Sequence, residues 1–242
     1  MRTLELFCGT KSFSKVAKAR GHETFTIDIE PKFEPDMVAD VGQLKVDDLP
    51  VEMRHPDVVW ASPPCQCFSV MVIGKNWKNE KGKFPIPIRE KTVEAMRLAE
   101  HTIELIKELK PKYYFIENPR AMLRKMPFMQ GWHHSTVTYC QYGLEYQKAT
   151  DIWNNCYDWR PRPVCSPRSP CHVRAPRGSK KGLQAVGRYK TQRRESLHPG
   201  DMGSESNRAA AERAVVPAQL CEEIIIACEM ALNQENNVKD GE

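Results

Sequence analysis

The sequence predicts an α/β fold, with a mainly parallel sheet layered against helices. Three observations carry this. Strand-like and helix-like stretches alternate over the first 155 residues, which favours crossover connections and parallel pairing. The apolar runs are short and rich in β-branched side chains, as strands covered on both faces are. Several of them end on residues that carry chemistry, at the edge where open α/β sheets bind ligands. The chain has 242 residues, 40% hydrophobic and 28% charged. This allows a substantial core and excludes wholesale disorder.

Residues 3–7 form a short apolar run ending in Cys8-Gly9-Thr10. A helix is expected from Ser12, stopped by Gly21. Residues 22–29 (HETFTIDI) read as a strand closing on Asp28, and 37–41 as a shorter one closing on Asp40. Residues 57–61 (DVVWA) form a buried strand that runs into Ser62-Pro63-Pro64-Cys65. A polar loop over 73–87 leads into a long helix over 89–110, with Val93, Met96, Ile103, Ile106 and Leu109 on one face. Residues 113–116 (YYFI) are another buried strand ending at Glu117-Asn118-Pro119, and 134–140 and 150–153 predict two more. Residues 156–208 are rich in Pro, Arg, Cys and Gly, without periodicity. Pro217 opens a helix whose Leu220, Ile224, Cys228 and Leu232 face a core. The expected organisation is an α/β domain over 1–155, a small basic cysteine-containing insertion over 156–208, and a C-terminal unit over 209–242 whose helix packs back on the domain.

The formal net charge of +5 is unevenly spread. Residues 160–194 hold eleven Lys and Arg and no acid, leaving 25 basic against 31 acidic residues elsewhere. Such a run is either a solvated arm or the footprint of a polyanion, most often nucleic acid. No apolar run approaches the ~18 residues of a membrane span. The start, Met1-Arg2-Thr3-Leu4-Glu5, lacks a secretory pattern. A soluble intracellular protein with no membrane partner is expected. Nine cysteines in that setting serve as core filler, metal ligands or nucleophiles rather than disulfides. Cys156, Cys165, Cys171 and His172 lie in a segment too polar to form its own core, which suits a structural zinc. Their spacing is irregular, His198 is a rival fourth ligand, and unliganded thiols are the alternative.

Pro63-Pro64-Cys65-Gln66 is the most specific turn in the chain. Two prolines can neither continue a strand nor enter a helix interior, so they present Cys65 rigidly at the sheet edge. Nucleophilic thiols need such a position, whereas a free cysteine is ordinarily core filler. Asp28 follows the Gly9 turn by about twenty residues, the usual place of a ribose-binding carboxylate, although a lone Asp after a strand more often caps a loop. Glu117 before Asn-Pro could likewise just begin a turn. The sequence has no G-x-G-x-x-G and no G-x-x-x-x-G-K-[ST], which disfavours a dinucleotide and excludes a P-loop.

Leu4-x-Leu6-Phe7-x-Gly9, Pro63-Pro64-Cys65-Gln66-x-Phe68-Ser69 and Glu117-Asn118, in that order, resemble the C5-cytosine DNA methyltransferases, especially the compact bacteriophage-type members. The likeness runs over residues 4–153 and resumes near 213–220. It implies a Rossmann-like S-adenosylmethionine-dependent methyltransferase fold with a small irregular basic insertion. It further implies a monomer acting on cytosine-containing DNA in the cytoplasm of a bacterial host cell. In that family a thiolate adds to carbon 6 of a flipped-out cytosine, making carbon 5 nucleophilic. Cys65 matches the thiol, with Gln66 beside it; Glu117 matches the carboxyl that relieves charge at N3, and Asn118 holds the loop. Phe7, Gly9 and Thr10 match the cofactor cradle, with Pro63 beside it. Asp28 matches the ribose clamp and Asp40 the adenine contact, flanked by Ile29 and Val41. The basic insertion falls where the family reads DNA, and is expected to contact phosphates more than base edges. Trp77 is expected to reach DNA.

The chain departs from the pattern at three places. Lys11 stands where a second glycine is usual, and a solvent-facing side chain is expected there. The family's Q-x-R-x-R appears as Gln147-Lys148-Ala149-Thr150-Asp151, where Lys148 supplies charge and the second arginine has no evident replacement. Of the terminal G-N-x-V-P-P only Val216-Pro217 survives. Three other readings stay open: an RNA cytosine methyltransferase, a catalytically weak DNA-binding protein retaining the fold, and an amino-group methyltransferase of the S-P-P-aromatic type. Cys65 and Glu117-Asn118 argue against the last.

Overall fold

The computed structural model describes residues 1–166, 169–172 and 214–239. The chain runs β1 (Arg2–Leu6), α1 (Ser12–Ala19), β2 (Glu23–Asp28), β3 (Met37–Val38), β4 (Val58–Ala61), α2 (Ile73–Asn76), β5 (Trp77–Lys78), β6 (Ile86–Pro87), α3 (Glu90–Leu109), β7 (Tyr113–Pro119), β8 (His134–Thr138), β9 (Ala149–Asn154) and α4 (Ala218–Lys239). Seven strands form one sheet in the order β3-β2-β1-β4-β7-β9-β8, and β5 pairs with β6 in a separate hairpin. β1 pairs in parallel with β2 and β4, β2 with β3, and β4 with β7, while β9 is antiparallel to both β7 and β8. The order 3-2-1-4 is that of a Rossmann-like sheet, so the expected α/β class with a mainly parallel sheet is the observed one.

The pleat of β4 divides the core. Val59 and Ala61 pack with Leu4, Leu6, Ile27, Ile103 and Ile106 on the α3 side. Val58 and Trp60 pack with Phe13, Phe115, Leu220 and Ile224 on the side of α1 and α4. All four β4 residues are buried, which explains why the strand shows no polar alternation in sequence.

Three expectations change. The strand expected over 37–41 ends at Val38, because the Asp40 carboxylate accepts the Gly42 amide at 2.8 Å and turns the chain. Trp77 does not reach outward. Its indole N–H donates to the Cys67 carbonyl at 2.7 Å and its ring lies 5.7 Å from that of Phe68, so packing holds it inside. Packing also continues beyond residue 155: Cys156 and Trp159 are buried in the α4-side cluster. Arg162 stands over the Tyr142 ring at 4.9 Å and donates to Glu223 at 2.7 Å. This arginine of the basic run therefore docks its segment onto α4. Arg168 and the cations from Arg174 to Arg194 lie outside the described residues, as does His198.

A buried carboxylate joins β1 to α1. Glu5 accepts the Phe13 and Ser14 amides at 3.3 and 2.8 Å, capping the first turn of α1 from the strand. Burial pushes its pKa from 4.5 to about 7, against the lowering pull of the Ser14 hydrogen bonds. A carboxyl raised on folding holds more protons in the native state, so its contribution to stability is present below pH 4.5 and lost as pH rises through about 7. Urea titrations of Glu5→Gln are expected to lack a loss of about 3 kcal/mol that the parent shows across this window. Identical pH profiles for the two proteins would disprove the assignment.

Candidate active site

Because β1, β2, β4 and β7 run in parallel, their carboxyl ends share one edge of the sheet. After β1 the chain turns through Phe7, Gly9 and Lys11, all at positive φ (57°, 45° and 56°). Lys11 thus occupies a left-handed conformation that glycine adopts without cost. Its ammonium donates to the Glu34 carbonyl at the exposed surface. Asp28, at the end of β2, is buried; its Oδ2 accepts the Gly9 amide at 2.8 Å and its Oδ1 the Glu30 amide at 2.9 Å. One carboxylate thereby fixes both loops. The Thr10 and Ser12 hydroxyls lie 3.0 Å apart. Burial pushes the Cys8 thiol up to about 12, so it is no nucleophile.

Ile29, beside Asp28, is 60% exposed, an apolar side chain left uncovered at the sheet edge. Asp40 is exposed. Val41 is 2% exposed and packs in the α3-side core.

The Cys65 loop is anchored at both ends. Pro63 is buried, and its carbonyl accepts the Asn118 side-chain amide at 2.9 Å. The Cys65 carbonyl accepts the Phe68 and Ser69 amides, each at 3.0 Å, and the fully buried Phe68 accepts the Met122 amide through its carbonyl at 3.0 Å. Cys65 itself is half-buried and Gln66 is exposed. Since β4 and β7 are neighbours, the Asn118 bond joins the loop that carries Cys65 to the strand that carries Glu117.

Glu117 is buried, and two groups reach the same oxygen. Tyr139 donates its hydroxyl to Oε1 at 2.8 Å, and the Lys148 ammonium stands 3.5 Å away. Lys148 also lies over the Tyr139 ring at 4.6 Å. Burial, then the Glu117 charge, holds the Tyr139 pKa far above its usual value, so it stays a neutral donor. Tyr139 was not evident in the sequence: it lies 22 residues from its partner, and no local pattern links them.

Asp151, where the resemblance implies an arginine, is itself paired with a guanidinium. Arg124, in the turn after β7, makes a bidentate contact to the fully buried Asp151 carboxylate and donates to the Thr136 hydroxyl at 3.0 Å.

The four residues expected to bind metal do not assemble as a set. Cys165, Cys171 and His172 come together with Cys140, their ligand atoms lying within 4.8 Å of one another. Cys156 is replaced, because it is drawn into the α4-side core, where its sulfur pairs with Cys228.

A family model described as C-5 cytosine-specific DNA methylase matches residues 1–127. A protein of Frog virus 3 (isolate Goorha) named "Probable DNA (cytosine-5)-methyltransferase" is 32% identical over 178 residues, covering 71% of this chain and 78% of its own. The S. pombe Dnmt2 methyltransferase structure aligns at a TM-score of 0.44 with 14% identity, over 64% of this chain and 48% of its own. The Entamoeba histolytica methyltransferase EhMeth aligns at 0.44 with 12% identity, over 63% and 52%. The chain therefore spans about half the length of these solved structures.

Removing Arg124 would strand the buried Asp151 charge. Arg124→Ala is expected to lower unfolding free energy by about 3 kcal/mol in urea titrations, and adding Asp151→Asn should recover part of the loss. A loss under about 0.5 kcal/mol, the level of an ordinary surface pair, would refute the pairing.

Proposed function

The chain belongs to the C-5 cytosine-specific DNA methylase family, and on that premise we propose that it transfers a methyl group from S-adenosylmethionine to carbon 5 of cytosine in DNA. The observation that carries this reading is the Asn118–Pro63 hydrogen bond, which sets a presented thiol and a buried carboxyl on adjacent strand ends.

The cofactor edge fits the donor on the chain's own chemistry. Asp28 keeps acceptor capacity beyond its two amide bonds, suited to ribose hydroxyls. Ile29 offers an uncovered apolar surface next to it. A Cβ built on Gly9 would meet no atom within 4 Å, so the turn leaves room beside its backbone. S-adenosylmethionine, when bound, supplies an electrophilic methyl group. Phe7, Gly9, Thr10, Asp28 and Ile29 would hold it, with Asp40 nearby and Pro63 forming a wall.

Cytosine stacked in a duplex exposes neither face of its ring, so the base must leave the stack to meet Cys65. The Cys65 thiolate adds to carbon 6, forming an S–C6 bond and moving electron density to carbon 5. The Glu117 carboxyl, in its acid form, donates its proton toward N3, relieving the charge that develops there, and takes it back when the thiolate leaves. Tyr139 and Lys148 both reach Oε1, and Oε2 is the oxygen that would meet the base. Carbon 5 would bond to the methyl group as the donor's S–CH3 bond breaks. Solvent water would then take the carbon 5 proton, the C5–H electrons re-form the C5=C6 bond, and the S–C6 bond breaks to restore the Cys65 thiolate. Basic residues of the 160–194 run would hold DNA phosphates.

Cys65→Ser is expected to abolish transfer of labelled methyl from S-adenosylmethionine to DNA. The parent should form a persistent adduct with DNA containing 5-fluorocytosine, because fluorine cannot leave carbon 5 as a proton does. Methylation by Cys65→Ser, or no adduct with the parent, would overturn the reading. Tyr139→Phe is expected to slow single-turnover methyl transfer about tenfold, or ~1.4 kcal/mol, with DNA Kd unchanged. An equal change in Kd would instead assign Tyr139 to DNA binding.

A further inference from the structure

Three thiols and one imidazole meet outside the proposed active site. The Cys140 and Cys165 sulfurs are 3.3 Å apart, and those of Cys171 and Cys140 are 3.7 Å apart. Nδ1 of His172 lies 3.6 Å from the Cys165 sulfur and 3.5 Å from that of Cys171. A tetrahedral zinc has bonds of about 2.3 Å to sulfur and about 2.0 Å to nitrogen. Those lengths imply edges of about 3.8 Å between sulfurs and about 3.5 Å between nitrogen and sulfur. The observed spacings are close to such a tetrahedron, and all nine cysteines are free.

Two further observations point to a cation. The buried His172 has no hydrogen-bond partner on Nε2 among the described residues, and its other nitrogen is aimed at the sulfurs. Nδ1 is thus the imidazole nitrogen placed for coordination, 3.6 and 3.5 Å from two sulfurs. The sulfurs also receive donors that suit thiolates: the side-chain amide of Gln147 reaches Cys165 at 2.9 Å, and that of Gln141 reaches Cys171 at 3.4 Å.

We propose that Cys140, Cys165, Cys171 and His172 bind one structural zinc ion, which clips the segment after β9 to the turn between β8 and β9. Three thiolates with one imidazole in a closed tetrahedral set favour zinc over harder cations. The two segments already share apolar packing through Tyr139, Tyr142, Cys156 and Trp159, and the ion would add a second tie further along the segment after β9. Its position also bears on the carboxyl at the active site. Cys140 follows Tyr139, Gln147 precedes Lys148, and the Tyr139 amide donates to the Lys148 carbonyl at 3.1 Å. Tyr139 is thus next in sequence to a ligand, and Lys148 is next to a residue that donates to one.

Elemental analysis of the purified full chain is expected to find one zinc per molecule. Cobalt substitution should give the visible bands of a tetrahedral thiolate site. Cys140→Ala and His172→Ala should each weaken zinc retention against a chelator by about 100-fold or more. His172→Cys, which restores four ligands, should keep the ion, as should Cys156→Ala. These readouts do not depend on methyl transfer. A folded parent without zinc, zinc fully retained by Cys140→Ala, or a Cys140–Cys165 disulfide in the native protein would each overturn the proposal.

Discussion

The parallel pairing of β1, β2, β4 and β7 is the constraint on which the candidate site depends. In a parallel set every strand ends on the same edge, so loops distant in sequence must converge there. The turn after β1, Asp28, the Pro-Pro-Cys loop and Glu117 are placed together by this geometry alone. Two short hydrogen bonds then fix them relative to one another: Asp28 to the Gly9 amide and Asn118 to the Pro63 carbonyl. Neither bond is large in energy, on the order of 1 kcal/mol. Their effect is positional, because each ties a loop to the end of a buried strand.

Three buried carboxylates show how the fold accommodates charge. Glu5 accepts the Phe13 and Ser14 amides, and burial raises its pKa. Asp151 is fully buried and is held by a bidentate guanidinium. Glu117 lies between these cases, with a neutral phenol and an ammonium on one oxygen. Their partners differ accordingly: Glu5 caps a helix, Asp151 holds Arg124 in the turn after β7, and Glu117 meets Tyr139 and Lys148 through one oxygen.

The segment after β9 is bound to the α/β unit by ordinary packing before any metal is considered. Trp159 and Cys156 enter the core beside α4, and Arg162 stacks on Tyr142 while pairing with Glu223. The basic run thus begins inside the packed domain, and its first arginines include one committed to structure.

The sequence by itself determined the class of fold, the presence of most strands and the identity of the thiol and carboxyl motifs. Those features are local: periodicity marks strands and helices, and Pro-Pro-Cys or Glu-Asn-Pro at a strand end is written in consecutive residues. Tertiary structure alone decided which distant side chains serve them. Tyr139 as the donor to Glu117, Arg124 as the guanidinium at Asp151, Cys140 in place of Cys156 in the thiol cluster, and Val41 and Trp77 as core residues all follow from contacts across the sheet or between loops. A side chain's partner 12 to 31 residues away leaves no trace in its neighbours. The physical reason is that burial and pairing are settled by how strands register and loops converge, which no single stretch of sequence contains.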